Sequence, residues 1–287
     1  TWSFMPRRFA ELFGGGTEDM LLANPISSEL DAMRPSMLGN LILAAGRNGD
    51  RGFDDVALFE VGPQFRDATP KGQDFVAAGL RRGRDNRRHW AETPRPVDAY
   101  DAKADALAVL EAIGAPTASI QIATEAPGWY HPGRSAVMRL GPKNVLAAFG
   151  EIHPRILDRM DVTGPMVAFE VFIDNAPLPK AKATRNRAEL LVSDLPSVQR
   201  DFAFVVDEAT TADSIVRAAK GADKAFIGDV NVFDIYAGKG IEDGKKSVAI
   251  TARLAPKDAT LTDPEIEAIA AKIVAAVAKA TGAVLRG

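Results

Sequence analysis

The stretch Thr262-Asp-Pro-Glu-Ile-Glu-Ala-Ile-Ala-Ala-Lys-Ile-Val-Ala-Ala-Val-Ala-Lys-Ala-Thr-Gly282 decides the fold of the C-terminal third. Thr262 and Glu265 have the spacing of a capping box, Pro264 falls in the first turn, and Gly282 stands where a left-handed C-terminal residue is wanted. Between them Ile266, Ile269, Ala270, Ile273, Val274 and Val277 make one apolar stripe at helical period. A helix with such a stripe must bury it, and the flanking sequence supplies a sheet. Strands are expected at Asp201 to Val206, Val230 to Tyr236, Ser247 to Leu254 and Ala283 to Leu285, with a short helix from Thr211 to Lys220.

That order, β-α-β-β-α-β, is the pattern of the ferredoxin-like fold, whose helices cover one face of a four-stranded sheet. Strand side chains alternate between faces, so the core set defines the exposed set. Phe202, Phe204 and Val206 are expected to face the helices, with Ala203 and Val205 outward. The same rule sends Phe233 and Ile235 inward and Val232, Asp234 and Tyr236 outward. It sends Val248, Ile250, Ala252 and Leu254 inward and leaves Ser247, Ala249, Thr251 and Arg253 out. One aromatic, one carboxylate, hydroxyls and small residues would then share an open surface. Such a surface suits single-stranded RNA, through base stacking and base-edge hydrogen bonds. A solvated antiparallel face has the same composition.

Residues 1 to 174 read as a separate α+β module with a largely antiparallel sheet. Strand-like runs occur at Val56 to Val61, Phe75 to Leu80, Ser119 to Ala123, Ser135 to Leu140, Val145 to Phe149 and Met166 to Ile173. Ser36 is expected to cap a helix carrying Leu38, Leu41, Ile42 and Ala45. Asp101 is expected to precede a second, with Leu107, Leu110 and Ile113, that Gly114 stops. The segment 175 to 192, rich in proline and basic residues and without a period, reads as a connector to the domain 193 to 287.

Composition narrows the chemistry. The 287 residues are 46% apolar, enough for two cores, and 35 basic against 38 acidic groups give a net charge of −3, so any RNA contact must be local. Without cysteine there are no disulfides, thiolate metal sites or thiol nucleophiles; with only His89, His131 and His153, no zinc site and no metal ligand set is expected. No apolar run reaches bilayer length and no signal-peptide pattern opens the chain, so a cytoplasmic location and no membrane partner are expected. The opening Thr1-Trp-Ser-Phe-Met5 reads as a strand without a starter methionine, as expected of a piece of a longer polypeptide.

Nine stretches, in order and at similar spacing, resemble the bacterial phenylalanyl-tRNA synthetase β subunit. They are Leu22-Ala-Asn-Pro-Ile-Ser-Ser-Glu29, Met33-Arg-Pro-Ser36, Leu58-Phe-Glu-Val-Gly62, His131-Pro-Gly-Arg-Ser135, Phe149-Gly-Glu-Ile-His-Pro154, Pro196-Ser-Val-Gln-Arg-Asp201, Phe233-Asp-Ile-Tyr-Ala-Gly238, Gly244-Lys-Lys-Ser247 and Leu261-Thr-Asp263. The resemblance covers essentially the whole chain. It implies a class II synthetase-like module that has lost its activity, followed by a ferredoxin-fold anticodon-binding domain. It also implies a heterotetramer of two α and two β subunits that joins phenylalanine to its tRNA using ATP and magnesium, with catalysis in the α subunit. The family's editing domain and the carboxylates linked to magnesium would lie upstream of Thr1. Carried over by position, anticodon contacts are implied at Ala203, Asp234, Tyr236 and Ser247. Arg200 and Lys246 beside them are candidate phosphate contacts.

No catalytic residue is expected in this chain. Adenylate chemistry needs arginines and magnesium-binding carboxylates. Here the strand from Val56 offers only Glu60, with Arg66 outside it, and the strand from Met166 offers Glu170 without an arginine. The basic run Arg81-Arg-Gly-Arg-Asp-Asn-Arg-Arg88, leading into His89 and Trp90, reads as a tRNA or α-subunit contact or as a solvated turn. Two competing readings remain: a free-standing ligase, and an RNA- or small-molecule-binding ferredoxin-like module with no part in tRNA charging.

Overall fold

A computed structural model describes residues 1–177, 195–256 and 259–286, and its chain divides into two compact units, 1–183 and 184–287. Much of the proposed connector, 178 to 192, lies outside the described residues.

The first unit contains β1 (Phe4–Met5), α1 (Arg7–Ala10), β2 (Ala32–Met33), α2 (Leu38–Gly49), β3 (Val56–Phe65), β4 (Gln73–Arg82) and α3 (Ala99–Ala112). It continues with β5 (Gln121–Ala123), β6 (Tyr130–Leu140), β7 (Asn144–Ile152), α4 (Pro154–Arg159) and β8 (Met166–Phe172). A six-stranded, wholly antiparallel sheet runs β3-β4-β8-β7-β6-β5, and β1 pairs with β2 apart from it. Strand alternation builds two cores on its two faces. Val76, Ala78, Leu80, Ala148, Met166 and Ala168 meet Leu38, Leu41, Ile42 and Ala45 of α2. Ala77, Leu146, Ala147, Phe149, Val167, Phe169 and Val171 meet Ala102, Ala106 and Leu110 of α3.

Local capping differs from expectation in two places. Met37, not Ser36, is the N-cap residue of α2; Ser36 stands one residue earlier, where its Oγ accepts from the Leu38 N–H. Asp98, not Asp101, caps α3; Asp98 accepts hydrogen bonds from the backbone N–H groups of Tyr100 and Asp101, while the Asp101 carboxylate returns to the Asp98 N–H. The helix therefore begins earlier than the apolar stripe alone indicates. Gly114, at φ +80°, follows its end.

The second unit contains β9 (Val198–Asp207), α5 (Ala212–Ala222), β10 (Ile227–Tyr236), β11 (Lys245–Leu254), α6 (Asp263–Thr281) and β12 (Val284–Leu285). Its sheet is antiparallel in the order β10-β11-β9-β12, the ferredoxin-like arrangement. The stripe Ile266, Ile269, Ile273 and Val277 of α6, with Ile215 and Ala219 of α5, buries against Phe202, Phe204, Val206, Val248, Ile250, Ala252 and Leu254. Gly282 ends α6 at φ +69°, a conformation glycine adopts without Cβ strain.

β10 departs from simple alternation. Its register to β11 shifts between Val232 and Asp234, so Val232 pairs with buried Ile250 while Asp234 pairs with Ala249. Phe233 is the extra residue of this bulge. Val232 packs on the core and Phe233 is 59% exposed, the reverse of the sequence expectation. Beyond the bulge, Ile235 pairs with Val248 on the helix side but is itself exposed.

Candidate nucleic-acid interface

The bulge resets the phase of β10, and the reset brings its last two outward residues into line with the other strands. Asp234 pairs with Ala249, which pairs with Ala203; Tyr236 pairs with Ser247, which pairs with Val205, which pairs with Val284. Paired residues on antiparallel strands project from the same face. Phe204, Val248 and Ile250 project from the opposite face into the helices. Ala203, Asp234, Tyr236 and Ser247 thus share the surface that α5 and α6 leave uncovered.

Each side chain has a distinct setting. Tyr236 is 40% exposed, its hydroxyl donates to the Lys239 carbonyl at 3.1 Å, and its ring lies against Gly238, whose φ of +152° and lack of Cβ allow the close approach. The hydroxyl is satisfied within the protein, so the ring face is what remains for a ligand. Ser247 is only 4% exposed, at the floor of the row between Tyr236 and Val205. Asp234 is exposed and Ala203 half-buried. Further along the face, Thr251 donates to Asp201 at 2.6 Å, Asn231 donates to Asp229 at 2.9 Å, and Arg253 donates to Ser197 at 3.0 Å. The arrangement offers a ring at one edge, a carboxylate beside it and small side chains between, which is a shallow platform for a flat ligand.

Arg200 and Lys246 are not on this face. Arg200 pairs with Ala252 and Lys246 with Val206, both core positions, so the two side chains leave the sheet on the helix side. Arg200 donates to Glu267 of α6 at 2.9 Å, and Lys246 donates to the Glu208 carbonyl at 2.8 Å. Phe233, which sequence reading placed in the core, is instead a second exposed ring on β10. Only the bulge reveals it, and alternation in a single strand carries no signal for a bulge.

In the first unit the polar centre is Glu170 on β8. Fully buried on the α2 side of the sheet, it accepts from Ser36 Oγ at 2.6 Å, Trp129 Nε1 at 3.1 Å and Tyr130 OH at 3.3 Å, with Gln64 a further donor. Burial raises its pKa above the usual carboxylate range, against the lowering effect of these hydrogen bonds. Burial and the neighbouring carboxylate together push the Tyr130 phenol well above its ordinary value. Ser36 also accepts from the Leu38 N–H at 3.1 Å, which joins the start of α2 to the same cluster. Glu60 is bound differently. Burial opposes its ionisation, but hydrogen bonds from Thr1 and from buried Arg34 (2.7 Å) outweigh that and hold its pKa below the ordinary value. Arg66 pairs with Asp74 at the surface. Buried Glu170 and partly buried Glu60 are thus both engaged by donors of the protein itself, and among the described residues no three His, Cys, Asp or Glu side chains are grouped to hold a metal ion.

Comparison with known proteins agrees with this division. Residues 1–173 match the family described as phenylalanyl tRNA synthetase beta chain CLM domain, and residues 193–286 match the ferredoxin-fold anticodon binding domain. The chain belongs to the phenylalanyl-tRNA synthetase β-chain family. Among its relatives, the phenylalanine–tRNA ligase beta subunits of Rhodospirillum rubrum and Paramagnetospirillum magneticum are 56% and 57% identical over the whole of this chain. That of Cereibacter sphaeroides is 55% identical. In each case the match covers 36% of the relative, so the chain spans about a third of the proteins it resembles.

Proposed function

We propose that this chain is the C-terminal part of the β subunit of a phenylalanine–tRNA ligase and that its open C-terminal sheet face holds the anticodon of the tRNA. The observation that carries the reading is the pairing of Tyr236 with Ser247 on the face opposite the helices. Tyr236 would stack on an anticodon base, Asp234 and Ser247 would bond base edges, and Ala203 would allow close approach. Arg200 and Lys246, on the other side of the sheet, are left out of this reading.

The first unit acts as a scaffold for a catalytic α subunit, within a heterotetramer of two α and two β subunits in the cytoplasm. ATP and magnesium belong to that complex and not to this chain. In support, Glu170 is enclosed by four neutral donors without a cation to bind phosphate, and among the described residues no helix is long and apolar enough to cross a membrane.

Two measurements test the proposal. The chain alone should show no ATP–pyrophosphate exchange and should bind phenylalanine tRNA in competition with its isolated anticodon stem-loop. Exchange by the chain alone would favour the free-standing ligase. Binding that the stem-loop does not compete would remove the anticodon assignment.

A further inference from the structure

The segment between β4 and α3 forms a stapled stem with a projecting tip. Arg84 and Pro96 make an antiparallel bridge, the Val97 N–H donates to the Gly83 carbonyl and the Asp85 N–H to the Arg95 carbonyl, each at 3.0 Å. The Arg95 N–H returns to Asp85 Oδ1 at 3.0 Å. The Arg95 guanidinium donates twice to Asp101, at 2.7 and 2.8 Å, and lies 3.4 Å from Asp98 and 3.6 Å from Asp85. Because Asp98 and Asp101 also form the cap of α3, the stem is rooted in a helix. On its other side the Arg84 N–H donates to Asp55 at 2.8 Å.

What this stem holds out is Trp90, 94% exposed. A tryptophan so placed forgoes the burial that normally takes its large ring into a core or an interface. The ring is not loose in its immediate setting. His89 stacks on it with centroids 5.7 Å apart and planes 27° apart, and the Ala91 N–H donates to His89 Nδ1 at 3.2 Å, which orients the imidazole. Arg87 and Arg88 precede the pair, are exposed, and among the described residues enter no ion pair.

We propose that this tip, residues 86 to 94, is a second RNA contact of the chain, in which Trp90 backed by His89 stacks on an unpaired base and Arg87 and Arg88 neutralise phosphates. Every base has a π face, and a ring flanked by unpaired arginines suits a charged, stacked polymer. The core of a protein interface is instead depleted of charge and surrounds its anchor with apolar groups. Around Trp90 the tip carries Arg87, Arg88, His89 and Glu92, with only Ala91 and Pro94 as apolar neighbours, so a protein partner is the less favoured occupant.

The inference rests on the reading that the chain handles tRNA, and its test separates the two. The full chain is titrated with a phenylalanine tRNA transcript and, separately, with the isolated anticodon stem-loop. Trp90→Ala should weaken whole-tRNA binding about fivefold or more. Arg87→Ala combined with Arg88→Ala should flatten the dependence of log affinity on log salt by about 1.5. Neither change should affect the stem-loop, nor the melting temperature, since these side chains are exposed. Unchanged tRNA affinity and salt slope would overturn the proposal and leave the anticodon reading intact. So would loss of α-subunit association with tRNA binding preserved. Trp90-sensitive tRNA binding with no affinity for the stem-loop would remove the anticodon reading and keep this one.

Discussion

Tyr236 and Ser247 are direct cross-strand partners, one 40% exposed at the sheet edge and the other almost buried at its floor. The pair sets a shape: a ring standing beside a hydroxyl that only a flat group lying against the sheet would reach. Ser247→Ala should therefore weaken binding of the anticodon stem-loop by the worth of one hydrogen bond, about 0.5–1.5 kcal/mol. Stability should change little, because alanine fills the same floor position. Calorimetric titration with parallel thermal melts checks both, and full stem-loop affinity in the variant would show that the hydroxyl is not used.

The bulge at Phe233 makes a contrast that alternation alone would invert. Phe204, fully buried beneath the helices, should cost about 3–5 kcal/mol when changed to alanine. Phe233→Ala should stay within about 0.5 kcal/mol of the parent, as for an exposed site. Equal losses in chemical denaturation would mean that Phe233 packs in the core after all.

How far the sequence can be read follows from these same residues. β9 and β11 were legible because Phe202, Phe204, Val206, Val248, Ile250, Ala252 and Leu254 keep strict two-residue alternation. β10 was legible only beyond its bulge, where Asp234 and Tyr236 point outward as expected; an inserted residue leaves no mark on a single strand's pattern. Arg200 lies two residues from Phe202, and Lys246 lies two from Val248, so the alternation rule already assigned both to the helix side. The Glu170 cluster was beyond reach. Ser36, Gln64 and the adjacent pair Trp129 and Tyr130 come from three distant parts of the chain and meet Glu170 only when the sheet and α2 assemble. The tip at Trp90 was visible as a basic run, but its projection depends on the stem that Arg84, Asp85, Arg95 and Pro96 close.

Glu170 gives the first unit a pH dependence of definite sign. Burial raises its folded-state pKa above the unfolded value, so the folded state favours the protonated carboxyl. Its contribution to stability is then complete below the unfolded pKa and declines as pH rises through the folded one. Glu170→Gln removes that titration. Relative to the Gln variant, the parent should lose melting temperature as pH rises above the ordinary glutamate range. Parallel curves for the two proteins would place the carboxylate in a balanced environment and contradict this reading of the cluster.

The most direct test of the account is the affinity of the anticodon stem-loop, at low salt, for the parent chain, Tyr236→Phe and Tyr236→Ala. The Tyr236 hydroxyl is engaged with the Lys239 carbonyl and the ring face is the free surface, so the phenylalanine variant should bind nearly as well as the parent. The alanine variant should lose stacking worth about 1–3 kcal/mol, roughly 5- to 150-fold in affinity. Undiminished binding by Tyr236→Ala, or an equal loss in both variants, would contradict the claim that this ring is the stacking surface of the sheet.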